Sequence, residues 1–230
     1  MALRKSRGNM YPWVSHTWNP IKGCDFECDY CYVKKAVSRG YDATVRIDMG
    51  DLEETRIGKG KTIFVGSMAD MWGPWVPKAW IEEVLTVCRV YADNAYVFQS
   101  KNPKRFREFK FPHPVRTLLG TTIETDRYPK DFKTKAPSIP ERVGAMMELY
   151  PMRRFITIEP IMDFDLSNLL RIVEMISPEF ITIGADSKGH GLKEPEPEKV
   201  LKLLDGLNKM KVEIRQKSNL ERLFDGKGVK

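Results

Sequence analysis

Short runs of β-branched and aromatic residues recur along this chain, and each is followed by a polar cluster and then a helical segment. The runs are Thr62–Val65, Ala95–Phe98, Arg116–Leu119, Phe155–Ile158, Phe180–Ile183 and the weaker Val212–Ile214, with a first strand expected within Trp13–Trp18. Continuous apolar runs of this length, bounded by turn residues, fit strands buried on both faces of a parallel sheet. Between them, "PKAWIEEVLTVCRVYADN" carries Ile81, Val84, Leu85 and Cys88 on one face, and "SIPERVGAMMELY" opens with Ser138 and Glu141 at capping-box spacing. "DLSNLLRIVEMI" starts at Asp165, a good N-cap, and "PEKVLKLLDGLNKM" closes the series. Such alternation predicts an α/β fold of βα units whose right-handed crossovers build a barrel or a partial barrel around a parallel sheet.

No linker divides the chain, and 230 residues with 42% hydrophobic content suit a single domain, 1–230. The stretches 126–140 and 187–199 read as long βα loops, and the terminal "DGKGVK" as a frayed end. No apolar run reaches the roughly eighteen residues of a membrane span. The N-terminal "MALRKSRGNM" is basic but lacks the apolar core of a secretion signal, so a cytoplasmic location is expected.

In a parallel barrel the residues that follow each strand share one rim, where sites are built. Those residues are Gly66-Ser67-Met68-Ala69-Asp70, Gln99-Ser100-Lys101, Thr121-Thr122-Ile123-Glu124, Glu159-Pro160, Gly184-Ala185-Asp186 and Arg215-Gln216-Lys217. Strands that reach solvent end in polar residues anyway, which explains serine and lysine better than several convergent carboxylates. Gln99, Lys101, Glu124, Glu159, Asp186 and Gln216 are therefore candidates for a substrate cavity.

The loop after the first strand reads "GCDFECDYCY", with Cys24, Cys28 and Cys31 spaced C-x3-C-x2-C. Spacing this tight in a chain of this kind favours metal over disulfides. A closed zinc site wants four ligands, usually as two separated pairs, and His16, His113 and His190 form no paired motif. Cys88, on an apolar helix face, reads as a small core residue. Three thiolates on an iron–sulfur cubane would leave one iron open to a chelating ligand, which is the logic of radical chemistry with S-adenosylmethionine.

With an aromatic residue just before its last cysteine, the motif "CDFECDYC" resembles the signature of radical S-adenosylmethionine enzymes. More narrowly, the chain resembles a mostly phage-encoded radical S-adenosylmethionine-like family carried as a domain of unknown function. The matching segments are "TWNPIKGC", "CYVKKA", "FVGSMADMWGPWVP", "FQSKNPKRF", "LGTTIET", "RFITIEPIMDFD" and "ITIGADS". The resemblance implies a partial (β/α)6 TIM-like barrel, the radical S-adenosylmethionine core. It implies that Cys24, Cys28 and Cys31 hold a 4Fe-4S cluster and that S-adenosylmethionine chelates the fourth iron. Tyr30 would lie near the adenine, and Gly66, Ser67 and Met68 would meet the amino group. The usual acidic residue is missing there, so Ser67 or Asp70 would substitute. Thr122 and Glu124 would reach the ribose, and Glu159 and Gly184 would contact the cofactor from later strands. The implied reaction is reductive cleavage to methionine and a 5′-deoxyadenosyl radical, which abstracts hydrogen from the substrate; flavodoxin or ferredoxin would supply the electron.

The formal net charge of +7 favours anionic partners, although a lysine-rich surface alone produces the same number. "SKNPKRFREFK" supplies Lys101, Lys104, Arg105, Arg107 and Lys110, and the loop after Glu124 adds Arg127, Lys130, Lys133 and Lys135. The interleaved Phe106, Phe109, Tyr128 and Phe132 would stack bases, or Phe106 and Phe109 would face the core of a short helix. The leading expectation is an enzyme, an isomerase, a lyase or another base-modifying activity, acting on a nucleobase or thymine-derived base in phage DNA or a nucleotide. A radical enzyme for a peptide or small metabolite and a non-catalytic metal-binding module are the alternatives.

Overall fold

The computed structural model describes residues 3–7, 11–53, 56–112 and 114–224. His113 and the segment 225–230, expected to fray, lie outside the described residues. The chain begins with β1 (Leu3–Lys5), β2 (His16–Trp18), β3 (Ile21–Lys22), α1 (Val33–Val37), β4 (Arg46–Ile47) and α2 (Met49–Leu52). It continues through β5 (Thr62–Val65), α3 (Lys78–Val90), β6 (Ala95–Gln99), β7 (Thr117–Thr122), α4 (Ile139–Met147) and β8 (Arg153–Ile158). It closes with α5 (Leu166–Ile176), β9 (Phe180–Ile183), α6 (Pro197–Lys209) and β10 (Glu213–Gln216).

One sheet runs in the order β1-β2-β5-β6-β7-β8-β9-β10. β1 is antiparallel to β2, and every later neighbour is parallel. β1 and β10 do not pair, so the sheet curls into a partial barrel, as expected. The antiparallel β1 and the small ribbon of β3 with β4 are elements that the sequence pattern does not announce. Each is two or three residues long, too short for a periodic signal.

The helices form where their caps and stripes place them. Ser138 and Glu141 close a complete capping box on α4, and the Asp165 side chain accepts the Asn168 amide hydrogen bond at the start of α5. Leu169, Val173 and Ile176 of α5 are buried at helical spacing, each contributing about 1.5–3 kcal/mol relative to exposure. Between β6 and β7 the crossover is a short 3-10 helix, Pro103–Glu108.

Strand alternation sorts the side chains into two sets. Ile63, Val65, Tyr96, Phe98, Leu119, Ile156, Ile158, Ile181 and Ile183 pack outward with α3, α4, α5 and α6. Phe64, Val97, Leu118, Phe155 and Phe180 point inward and pack with Tyr11, Val14 and the half-buried Trp13. The first strand, His16–Trp18, lies within the expected Trp13–Trp18, and it starts no earlier because Tyr11 and Trp13 turn inward to floor the barrel. Above this apolar floor the inward positions become polar: Gln99, Thr122, Thr157 and Thr182, and two residues later Lys101, Glu124, Glu159 and Gly184. No helix among the described residues is long and apolar enough to cross a membrane.

Candidate active site at the barrel mouth

The cysteine loop is fixed from below. Asn19, buried just beyond β2, accepts hydrogen bonds from Ser67 Oγ (3.1 Å) and the Met68 amide (3.0 Å). Gly23 bridges to Ala69 with φ of 81°, in the left-handed region. A Cβ there would lie 2.5 Å from the Ala43 carbonyl oxygen and 2.6 Å from the Val45 nitrogen, both rigid backbone. Gly23→Ala is expected to destabilise the chain by about 1–3 kcal/mol, read as a lower urea midpoint at unchanged slope.

Cys28 is buried, with its Sγ 3.2 Å from Thr134 Oγ1, while Cys24 and Cys31 are half-buried. Burial, reinforced by the Asp70 charge, pushes the Cys24 thiol up to about 12. Burial raises Cys28 as well, opposed by the nearby Lys101 ammonium. Thiols so placed stay protonated until a metal displaces the proton, which suits resident ligands rather than a free nucleophile. Among the described residues, no group of His, Cys, Asp and Glu side chains is gathered as a single metal ion requires. Three soft donors on one loop, without a fourth, fit a cluster that keeps one iron open. Cys88 is fully buried on α3 beside Val84 and Leu85, a core residue as expected.

The loop 126–138 lies across the cysteine loop. The Asp29 amide donates to the Lys133 carbonyl (3.1 Å), the Lys133 amide to Asp29 Oδ2 (2.7 Å) and the Lys135 amide to the Phe26 carbonyl (2.7 Å). Lys135 also pairs with Glu27. Tyr128 stacks on Phe132 at 4.3 Å between centroids, and Phe132 in turn packs 5.9 Å from Tyr30.

Glu124 is the hub of this wall. It is fully buried and accepts from the Tyr30 hydroxyl, the Tyr128 hydroxyl (2.6 Å) and Arg142 Nη1 (3.0 Å), with Lys101 Nζ at 3.4 Å. Lys101 also sits 5.0 Å from the centre of the Tyr30 ring. Burial lowers the Lys101 ammonium against the opposing pull of Cys28 and Asp70. Below them, the Tyr11 hydroxyl donates to Gln99 Oε1 and bonds Thr157 Oγ1 (2.6 Å), and Gln99 Nε2 donates to Thr122 Oγ1 (2.9 Å). Burial raises the Tyr11 phenol, so it acts as a neutral donor. Across the mouth, Lys217 Nζ lies 2.7 Å from Glu159 Oε2, and Asn219 Nδ2 donates to Glu159 Oε1 (3.2 Å).

The structure thus brings together Cys24, Cys28, Tyr30, Lys101, Glu124 and Thr122 on one side of the mouth, and Glu159 and Gly184 on the other. Asp70 serves as a brace: its carboxylate accepts from Ser100 Oγ (2.7 Å), the Lys101 amide (2.8 Å) and the Trp72 amide (3.1 Å). Asp186 is turned to its own loop, bonding His190 Nδ1 at 2.7 Å and the Lys188 amide at 3.0 Å. Burial works to raise its carboxyl, and the His190 and Lys188 bonds outweigh that and hold it below the usual range. Gln216 is the one candidate on the wrong face. It is exposed beside Ile214 on the outward side of β10, and the inward positions are Arg215 and Lys217. The basic stretch after β6 is largely structural. Phe106 and Phe109 pack on Trp72, Arg105 donates to the Val76 carbonyl (2.5 Å), and Arg107 pairs with Glu148. Lys104, Lys130 and Lys133 remain exposed.

Asn19, Tyr11, Arg142, Lys217 and Asn219 are site residues that the pattern did not single out. Arg142 carried a signal: it stands on the apolar stripe of α4 with Ile139, Val143 and Met146, where a charge needs a buried partner.

Residues 9–219 match the family described as "Protein of unknown function (DUF5131)". The chain belongs to that family. No curated protein matches it. Among the solved structures it resembles are several of spore photoproduct lyase. A cysteine-to-serine variant of that protein superposes with a TM-score of 0.67 at 13% identity, covering 94% of this chain and 78% of the lyase. A tyrosine-to-phenylalanine variant gives 0.67 at 11%, covering 93% and 78%. The form with bound AdoMet (S-adenosylmethionine) and dinucleoside spore photoproduct gives 0.59 at 13% identity, and this chain covers 64% of that chain's length. The family member therefore has the mostly parallel partial-barrel fold of the lyase, with the cysteine loop on the rim after the first parallel strand.

Proposed function

We propose that the chain is a radical S-adenosylmethionine enzyme that acts on a nucleobase, thymine-derived, in DNA or a nucleotide. The observation that carries this reading is the set of three thiols, without a fourth, at the mouth of a barrel otherwise lined by acids, lysines and hydroxyls. The likeness of fold to a protein solved with AdoMet and a dinucleoside supports it.

Cys24, Cys28 and Cys31 would hold a 4Fe-4S cluster, and that cluster with AdoMet would supply a 5′-deoxyadenosyl radical able to abstract hydrogen from the substrate. The chain's own residues do the rest. The loop 126–138 and Tyr30 wall the thiols from solvent on one side. The Tyr11–Gln99–Thr122 bonds and the aromatic floor close the barrel from below. A closed, dry mouth protects a reactive intermediate from water. Lys101 places an amine donor beside Cys28 and Glu124, suited to a carboxylate or an electron-rich cluster. A base in a duplex would be flipped out to reach this depth.

Anaerobically reconstituted enzyme with dithionite, standing in for flavodoxin or ferredoxin, is expected to form 5′-deoxyadenosine severalfold faster when DNA bearing thymine-derived hypermodified bases is present. A rate indifferent to that DNA would sink the nucleobase reading. The mass of the product then tells isomerisation from cleavage. Exposed Lys130 and Lys133 are expected to contact phosphate, so replacing both with glutamine should lower the salt slope of DNA affinity by about 2.

A further inference from the structure

On the side of the mouth away from the cysteines, two buried oxygens lack partners among the described residues: Asn219 Oδ1 and Thr182 Oγ1. The orientation of the Asn219 amide is fixed. Its Nδ2 donates to Glu159 Oε1 (3.2 Å) and to the Ala185 carbonyl (2.8 Å), and a flipped amide would set oxygen against both acceptors. Oδ1 therefore faces away from these two, as an acceptor.

Gly184 shows where that acceptor lies. A Cβ on Gly184 would come within 2.8 Å of Glu159 Oε1 and 2.9 Å of Asn219 Oδ1. Gly184 continues the inward set of Phe180 and Thr182 at the end of β9, so both oxygens rest against the inner wall of the barrel. Thr182 stands one inward position lower. Lys217, held by Glu159 at 2.7 Å, supplies a cation to the same corner. The corner thus holds a fixed acceptor and an ammonium, with the Thr182 hydroxyl and the Arg215 guanidinium at the inward level below, and it is closed to any side chain at residue 184.

We infer that this corner of β8, β9 and β10 recognises the imide edge of a thymine-type pyrimidine, with Asn219 Oδ1 accepting the ring N3–H and the Lys217 and Thr182 donors meeting the flanking carbonyl oxygens. An imide presents one donor between two acceptors, which complements this arrangement. Cytosine carries an acceptor at N3 and would leave Asn219 Oδ1 facing another lone pair, a buried mismatch that binding sites discriminate against strongly. The inference rests on the nucleobase reading above and names the residues that would read the base.

The test uses reconstituted, unreduced enzyme and single-stranded oligothymidylate, against the same oligonucleotide bearing N3-methylthymine and against oligocytidylate. Fluorescence anisotropy should show oligothymidylate bound about tenfold more tightly than either competitor. Asn219→Leu should bring the three affinities together. Should Asn219→Leu fail to fold, Asn219→Ser keeps a hydroxyl beside Glu159, withdraws the carbonyl and should give the same loss. Equal binding of the thymine and N3-methylthymine strands by the unaltered chain, or a preference that survives in the Asn219 variants, would overturn the inference. The two readings separate cleanly. A chain that holds no cluster yet keeps the thymine preference refutes the radical reading alone, and a cluster-bearing chain without the preference refutes this one alone.

Discussion

A Cys28→Ala chain, reconstituted anaerobically with iron and sulfide, is expected to return without the broad visible absorbance of a 4Fe-4S cluster. Cys28 is the most enclosed of the three thiols, at 6% exposure, and its Sγ lies against Thr134 of the covering loop. With one of three thiolates gone, no neighbouring sulfur can replace it, because the remaining Cys88 lies in the core of α3. Cys24→Ala and Cys31→Ala should behave alike. Cys88→Ala should keep the full iron and sulfide content, which separates loss of a ligand from general damage. Retention of a complete cluster spectrum in Cys28→Ala, or bound zinc without sulfide in the unaltered protein, would refute the cluster.

Glu124→Ala is expected to cost about 3–5 kcal/mol of folding stability, seen as a large fall in the urea midpoint. Glu124 and Arg142 are both fully buried and 3.0 Å apart, so removing the carboxylate strands a guanidinium in the interior. It also takes the partner from the Tyr30 and Tyr128 hydroxyls, which tie the cysteine loop to the loop 126–138. The paired replacement Glu124→Gln with Arg142→Met should recover a good part of the loss, because it removes both charges. A loss below about 1 kcal/mol for Glu124→Ala would mean that water reaches the pair and that the mouth is open. The same geometry bears on the expected ribose contact of Glu124, since both carboxylate oxygens are engaged by the chain's own donors. Those donors hold the wall in which Tyr30 stands.

Much of the architecture is legible in order along the chain. Thr62–Val65 and Phe180–Ile183 are strands with the expected bounds, and α3 buries the four side chains of its apolar stripe. These features depend on neighbours within a turn or two, where propensity, caps and periodicity act. The first strand lies within the expected Trp13–Trp18, but its start is not legible, because Trp13 is as β-prone as Trp18 and only the hollow between the curled strands gives it somewhere else to go. Which of Gln216 and Lys217 faces the mouth is illegible for a similar reason. The face of a short edge strand is set by its register against β9, in which Arg215 pairs with Thr182.

The sequence by itself determined the alternation of strands and helices, the rim on which the polar residues gather, and the three thiols in their C-x3-C-x2-C spacing. Each of these is written in adjacent residues, where local geometry and donor chemistry decide. Only the tertiary structure decided which rim residues face one another. Glu124 meets Arg142 from the next helix and Tyr30 from a loop 94 positions earlier, and Glu159 meets Lys217 58 positions later. A buried charge must find its partner wherever the fold presents one, and closing the barrel brings such partners within reach.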